Sequence, residues 1–507
     1  MTPGNHATSS DGLGHSLGKQ SSGGDPSESR RKSQKEGASS DEISLYADHK
    51  KIHPKYMPGF FRYLKNWANL VFMLIYFLTP WMRWDRGPGV PDQAILIDLS
   101  GRKAYFLWLE IWPQEIYFLT ALLILAATGL FFATALLGRV WCGFACIQTV
   151  FTDIFVMVER WLEGDRNARI KSDRASMSAR RFFLKSLKIS IWTAISVATG
   201  FGWAAYFNDA PTLTSTFLIG EAGWGVYLTV AIVGGFCLLL AGWAREQVCI
   251  YMCPWPRFQA SMFDEDSLVV TYEKWRGEPR GFAKKGSSFE SRGHCVDCTL
   301  CVQVCPTGID IRNGSQLACI GCGLCIDACD SMMDRYNLPR GLIAYDSTRR
   351  QFARARGEEA PYNTVRPRTI IYAVLMLGIS VAIFVGIALR SHLEINILHE
   401  RSPLFVSLTD GSIRNGYTLK VLNKKTEDHT YTLSVQGLEQ ASLNLVGGES
   451  NANFLQISVR AGSVGAFRVY VTAPQDAVQE RTADVQFIFV NNETEERVVH
   501  RSLFAGP

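Results

Sequence analysis

The sequence predicts a multi-domain membrane protein: an α-helical bundle of about five transmembrane helices, a cysteine-rich domain inserted before the last of them, and a C-terminal all-β sandwich. Three observations predict it. Of 507 residues, 47% are apolar, yet the first forty hold ten Ser and seven Gly, so the apolar residues are concentrated elsewhere. Eight of the 13 cysteines fall between Cys295 and Cys329. After residue 390 the pattern changes to short alternating or β-branched runs punctuated by Gly and Asn.

In chain order, residues 1–45 read as a disordered cytosolic tail, because Ser- and Gly-rich chain cannot bury a core and has no apolar signal-peptide segment. The segment 46–243 reads as a membrane domain. Its spans, roughly 66–83, 116–138, 187–207 and 224–243, are each about the 20 residues a hydrocarbon core requires, and 369–389 supplies a fifth. The first is the most polar, with Asn66 and Asn69 at its start and Arg83 at its end; Trp67, Trp81 and Trp84 suit its interfaces. Loop 139–186 carries nine Lys or Arg, loop 208–223 none, and 244–368 is again basic, with Arg349, Arg350, Arg354 and Arg356. The bias predicts a cytoplasmic N-terminus and cysteine-rich domain and an outer C-terminal domain. Arg83, Arg86, Arg102 and Lys103, in or beside the outer loop 84–115, run against it.

Within the domain 244–368, Cys295-x-x-Cys298-x-x-Cys301-x-x-x-Cys305-Pro306 is repeated as Cys319-x-x-Cys322-x-x-Cys325-x-x-x-Cys329-Asp330. This is the spacing of a bacterial-type ferredoxin with two 4Fe–4S clusters, in which three close cysteines wrap one cluster and the fourth reaches the other. The pattern assigns Cys295, Cys298, Cys301 and Cys329 to one cluster, and Cys319, Cys322, Cys325 and Cys305 to the other. Zinc sites pair two Cys-x-x-Cys units and need no third cysteine at the same interval. A disulfide framework does not suit a reducing cytosol. Gly308, Gly321 and Gly323 fit loops pressed against the sulfides, and His294 reads as a surface residue.

Four more cysteines form two pairs, Cys142 with Cys146 and Cys249 with Cys253, the second pair 107 residues (249 minus 142) after the first. Each follows a predicted span. Positions i and i+4 share a helix face, so each pair offers two sulfurs on one stripe. Four converging thiolates suit Cu(I), Zn or an iron–sulfur centre, which makes these candidate copper or redox thiols; helix packing is the plainer alternative. Pro254 and Pro256 stop the second helix, whereas Ile147 lets the first continue, with Thr149 and Asp153 on the cysteine face. Cys237 reads as packing. Nothing in the spacing of His53, Met57 and Met82 demands copper, and Asp98, Glu110 and Glu115 read as interfacial carboxylates.

The segment 395–507 holds about seven strands, beginning near 403–408 and ending near 497–504, the rhythm of an immunoglobulin-like sandwich without its disulfide. It shows no catalytic constellation, and His392, His399, His429 and His500 read as lone surface residues.

Several segments carry a resemblance: Lys51-Ile-His-Pro-Lys-Tyr56, Gly59-Phe-Phe-Arg62, Pro80-Trp-Met-Arg-Trp-Asp-Arg86, Pro91-Asp-Gln-Ala94 and Ile111-Trp-Pro-Gln114, with both cysteine sets and the terminal β-domain. Over nearly all its length the chain resembles the FixG/CcoG family of cytochrome c oxidase accessory proteins. Ile147 departs from the family pattern, which has Pro there. The resemblance implies a bacterial inner-membrane iron–sulfur protein with a periplasmic C-terminal domain, needed to mature a cbb-type haem–copper oxidase. It further implies reduction of Cu(II) to Cu(I) before copper delivery, with oxidase subunits or copper chaperones as partners beside the bilayer, and no nucleic acid. Two other readings stay open: a membrane ferredoxin carrying electrons between quinol and another redox protein, and a non-redox assembly scaffold with structural clusters.

Overall fold

The computed structural model describes residues 51–506 apart from 88, 285, 287, 290, 391–392, 425–426, 449–452, 479–480 and 494–495. The predicted tail and His392 lie outside the described residues. The described residues from His53 onwards form one compact unit.

Among the described residues four helices are long and apolar enough to cross a membrane: Pro113–Leu137, Ala179–Ala204, Trp224–Ala244 and Pro367–Ala388. The first predicted span is not one of them. Helix α1 covers Phe60–Leu78 rather than 66–83, and its first half is polar for a reason. Arg62 donates both Nη atoms to Asp153 at 2.9 Å, Asn69 Nδ2 donates to the same carboxylate at 2.9 Å, and Lys65 Nζ lies 3.4 Å from it. One buried carboxylate therefore uses up the polar stripe of this helix, which lowers its average hydropathy.

A three-stranded antiparallel meander that the sequence reading missed follows: β1 Ile95–Asp98, β2 Lys103–Phe106 and β3 Leu109–Ile111. It accounts for basic residues that ran against the charge bias. Arg86 donates to the carbonyls of Pro91, Gln93 and Ala94 at 2.7–2.9 Å. Arg83 pairs with Asp209 at 2.7 Å, and Lys103 Nζ donates to the Gly462 carbonyl at 2.6 Å over the Trp112 ring.

The bundle continues through α2 (Ile116–Leu137), α3 (Ile147–Glu163), α4 (Arg166–Arg174), α5 (Ala179–Ala204), the short α6 (Ala210–Ile219) and α7 (Trp224–Cys237, extended by π-helical turns to Ala244). Helices α5 and α7 approach at small residues, as membrane helices do. A Cβ on Gly200 would stand 2.5 Å from the Val230 carbonyl oxygen, and one on Gly234 2.8 Å from that of Ser196. Glu159 of α3 ties the bundle together at one end. Its carboxylate, 2% exposed, lies 2.6 Å from Arg245 Nη2, 3.1 Å from Arg169 Nη1 and 3.4 Å from Lys188 Nζ. Burial alone would raise its pKa, but the hydrogen bonds and charge of Arg245, with Lys188 and Arg169, hold it down to about 2.

The cysteine-rich region joins that same end, where Leu268 N donates to the Leu136 carbonyl at 3.2 Å. It contains α8 (Trp255–Met262), the ladder of β4 (Val269–Tyr272) with β5 (Ile343–Asp346), α9 (Leu324–Arg335) and α10 (Thr348–Ala355). Helix α11 (Pro367–Ala388) returns along α2 to the sandwich. There Glu115 Oε1 accepts from Arg390 Nε at 2.7 Å and Lys424 Nζ at 2.8 Å, so this carboxylate is a structural clasp.

The sandwich packs two antiparallel sheets. One has the strand order β10 (Ser442–Leu445), β12 (Ser463–Ala473), β8 (Ile413–Asn423) and β6 (Leu393–His399), with β7 (Val406–Ser407) on β8; the other has β11 (Phe454–Val459), β9 (His429–Gln436), β13 (Thr482–Asn491) and β14 (Arg497–Ala505). Strand β6 (Leu393–His399) precedes the predicted start, and the strand expected near 403–408 shrinks to β7, Val406–Ser407. Alternation aims Tyr417, Leu419 and Val421 of β8 (Ile413–Asn423) at Leu433, Leu455 and Phe487 of the facing sheet, all 0% exposed. One histidine read as a surface residue is not: His429 is 4% exposed, with Nδ1 2.6 Å from Glu493; His399 is half-buried, its Nε2 2.9 Å from Asn415 Oδ1.

Replacing Glu159 by Ala would leave buried Arg169 and Arg245 without their carboxylate, while Lys188 keeps Glu163 at 2.7 Å, at a cost of about 3–5 kcal/mol. Thermal unfolding of the detergent-solubilised protein should show a large drop in Tm. In the unsubstituted protein this contribution is present above the ordinary glutamate pKa and is lost only as pH falls towards about 2.

Candidate functional site

The two ferredoxin-like motifs fold as a pair of matched loops. The residues flanking the second cysteine of each are left-handed: Asp297 and Thr299 at φ 52 and 56, Gly321 and Gly323 at φ 66 and 72. Glycine meets this requirement freely in the second loop, and the first meets it with Asp and Thr. In both loops burial pushes the thiol of that cysteine, Cys298 or Cys322, up, and the amide two residues on, Leu300 or Leu324, opposes the rise. The helices that follow differ. After Thr299 only Leu300–Gln303 is helical before Cys305 and Pro306, whereas Asp330 stands in place of the proline and α9 runs on to Arg335.

The fold brings the eight sulfurs round two cavities. One is lined by Cys295, Cys298, Cys301 and Cys329, the other by Cys305, Cys319, Cys322 and Cys325 with the edge of Cys301. The fourth cysteine of each motif thus lies with the first three of its sister. Burial pushes the Cys301 and Cys322 thiols up to about 12, so a set of thiolates here needs strong positive charge among them. The irons of a cluster provide that charge, and the donor set fits the group.

The four remaining paired cysteines do not sit on regular helices. Trp141–Ala145 and Val248–Met252 are single π-helical turns, and in each the next cysteine N–H donates to the carbonyl five residues back: Cys146 to Trp141 and Cys253 to Val248, both at 2.8 Å. Cys146 (ψ 128) and Cys253 (ψ 121) are extended. The first helix therefore stops at Cys146 despite Ile147, α3 starts afresh, and Asp153 turns towards α1 instead of the cysteines. Each π-turn is also preceded by a residue of positive φ, Gly138 (60) and Arg245 (44), again 107 residues apart (245 minus 138). The repeat thus extends from sequence into backbone conformation. Cys142 and Cys249 both pack against Cys322 and its neighbours. After burial, the nearness of Cys146, Cys249 and Cys253 raises the Cys142 thiol, to about 12. Among the described residues no three His, Cys, Asp or Glu side chains are gathered tightly enough to close round a single metal ion.

Several residues that hold this arrangement escaped the sequence reading. Gly143 lies against the second loop: a Cβ there would stand 2.8 Å from the Gly321 carbonyl oxygen and 3.0 Å from the Cys322 Cα. Arg139, 7% exposed, donates to the carbonyls of Leu317, Cys319 (2.7 Å) and Pro256 (3.1 Å) and so binds that loop to both halves of the 107-residue repeat. Asp327, between Cys325 and Cys329, accepts from the first amides of α1, Phe61 at 3.1 Å and Arg62 at 2.8 Å. The ring of Phe61 fills the space a side chain on Gly323 would need. Charged residues within an apolar segment were the available signal for Arg62 and Lys65; nothing local marked Arg139 or Gly143.

A 4Fe–4S dicluster family profile matches residues 244–348, a 4Fe–4S binding domain matches 118–166, and the Ig-like fold found at the C-terminus of FixG matches 383–507. The chain is 43% identical to nitrogen fixation protein FixG of Rhizobium meliloti over 493 residues, covering 91% of this chain and 94% of that one. Two proteins of Cereibacter sphaeroides are equally similar: RdxB, 45% identical over 91% of this chain and 98% of its own length, and RdxA, 46% identical over 85% and 91%. The chain belongs to the FixG family. Among solved structures, a FixG-related protein from Vibrio parahaemolyticus covers 23% of this chain and 97% of its own, at 25% identity and a TM-score of 0.20. This FixG-family chain is thus an iron–sulfur electron-transfer protein with several membrane-spanning helices.

Replacing Gly143 by Ala should force the Gly321 loop off the bundle. Hydrogen exchange of amides 319–323 is expected to accelerate, with α2 protection unchanged.

Proposed function

We propose that the protein passes single electrons from its cytosolic clusters to Cu(II) at the membrane face, and that the Cu(I) formed is delivered to a cbb-type cytochrome c oxidase. Cys295, Cys298, Cys301 and Cys329 would hold one cluster and Cys319, Cys322, Cys325 and Cys305 the other. Clusters so bound supply one-electron chemistry. Cys142, Cys146, Cys249 and Cys253 present the acceptor site; Cu(I) is satisfied by few soft thiolates, so a pair drawn from the two π-turns suffices for a metal in transit.

The single observation that carries this reading is the contact between Gly143 and the Gly321–Cys322 backbone. It sets Cys142 one residue from a cluster loop, a separation across which an electron moves without a mobile carrier. Buried Arg139 donates to the Cys319 carbonyl at 2.7 Å and holds the loop in register. The basic segments 139–186 and 244–368 support a cytoplasmic placement of this end and a periplasmic sandwich in a bacterial inner membrane.

Protein with reduced clusters should convert Cu(II) to Cu(I) stoichiometrically, followed with a Cu(I)-specific chromophore. Cys295→Ala should abolish most of that rate, and an unchanged rate would exclude the electron route. A variant with Ser at positions 142, 146, 249 and 253 should keep its iron and acid-labile sulfide but lose copper binding. Retained copper binding with quinol oxidation would favour a membrane ferredoxin instead.

A further inference from the structure

We propose that Lys65 and Arg139 set the direction of electron flow, by raising the reduction potential of the cluster at Cys305, Cys319, Cys322 and Cys325 above that of its sister. The inference rests on the ligand reading above and adds an order to it: the first cluster receives the electron and the second is the exit to the membrane cysteines.

The two cavities have opposite charged surroundings. Lys65 is 1% exposed, and the carboxylate it approaches is already engaged by both nitrogens of the Arg62 fork and by Asn69. Two cations, Arg62 and Lys65, share Asp153, on the helix whose first turn is seated on the buried carboxylate of Asp327 and on Gly323 of the second motif, and the Phe61 and Arg62 amides satisfy Asp327. The Lys65 charge is felt at Cys322 and at Cys249. Arg139 adds another. Among the described residues its guanidinium donates only to carbonyls, including that of Cys319, and its own backbone lies 3.2 Å from where a Cβ on Gly321 would be. Arg139 is felt at Cys319 and Cys142. The Arg139 guanidinium thus lies on the Cys319 carbonyl, and its backbone leads directly into the π-turn that holds Cys142.

Round the other cavity the balance is reversed. Arg312 lines it but is held by two carboxylates, Asp310 at 2.7 Å and Asp297. Asp330 adds a further carboxylate beside Cys329, half-buried and 3.0 Å from the Gly341 amide. Arg280, beyond Asp310, is answered by Glu278 at 3.8 Å. Reduction adds one negative charge to a thiolate-bound cluster, so neighbouring cations favour it and neighbouring carboxylates oppose it. Burial disfavours reduction at both sites, but Lys65 and Arg139 act in that same poorly screened interior. The electron balance is simple: one electron enters the first cluster from a reduced flavin or iron–sulfur donor, moves to the second, and leaves to one cupric ion.

The test is an EPR-monitored redox titration of the full-length protein in detergent, with Lys65→Met, Lys65→Arg and Asp330→Asn. Unsubstituted protein should titrate in two steps. Lys65→Met should lower the higher step and leave the lower one in place, and Lys65→Arg should restore it. Asp330→Asn, which keeps the side-chain acceptor for Gly341, should raise the lower step alone. If Lys65→Met fails to assemble clusters, the Asp330→Asn shift decides. Coincident steps, an unmoved higher step in an assembled Lys65→Met protein, or an Asp330→Asn shift in the higher step would overturn the inference. Absence of iron and sulfide from unsubstituted protein would instead overturn the cluster reading on which it rests.

Discussion

The close approach of two backbones, at Gly143 and Gly321, is the constraint on which the rest depends. No side chain fits between the first π-turn of the bundle and the second cysteine loop. Everything nearby serves that contact: Arg139 fastens the loop carbonyls, Tyr345 donates to the Gly321 carbonyl, and Asp327 receives the first amides of α1. A helix N-terminus and a carboxylate satisfy each other without a mobile counter-ion, so the cysteine-rich region is docked on the bundle rather than tethered to it.

Two internal repeats meet at this point. One, 24 residues long (319 minus 295), duplicates the cysteine loop, and the other, 107 residues long, duplicates a helix ending in a π-turn. Both repeat backbone conformation as well as residue type, including the rare positive φ of Asp297, Thr299 and Arg245. Strained conformations of non-glycine residues persist only where the surroundings over-determine them. The copies have diverged in charge. Arg312 with its two carboxylates serves one cavity, and Lys65 with Arg139 the other. Equal geometry with unequal electrostatics separates the two proposed clusters.

Three carboxylates of the bundle, Asp153, Glu159 and Glu115, sit largely out of solvent. Each gathers cations from distant parts of the chain, and each marks a junction: α1 with α3, α3 with α5 and α7, and the sandwich with the bundle. Replacing such groups with apolar ones need not destabilise a protein. Their distribution here matches specification of register, since apolar helices in lipid have little else to fix their rotation.

Much of this was legible in the sequence. The cysteine spacing, the four most apolar spans and the alternating strands are local patterns with fixed periods, and each appears in the fold because its period is a property of the backbone. The same local logic failed where long-range partners decide. The polar half of α1 depends on Asp153, 91 residues from Arg62. The break at Cys146 depends on a π-turn that Ile147 does not announce. His429 is buried although nothing local marks it, with the Glu493 carboxylate, far along the chain, 2.6 Å from its Nδ1. The sequence by itself determined which residues carry sulfur and which helices suit lipid, since spacing and hydropathy are intrinsic to the chain. Only the tertiary structure decided that Cys142 and Cys249 face a cysteine loop, and that the two cavities differ in charge. Those facts arise from contacts between segments up to 266 residues apart, which no local period encodes.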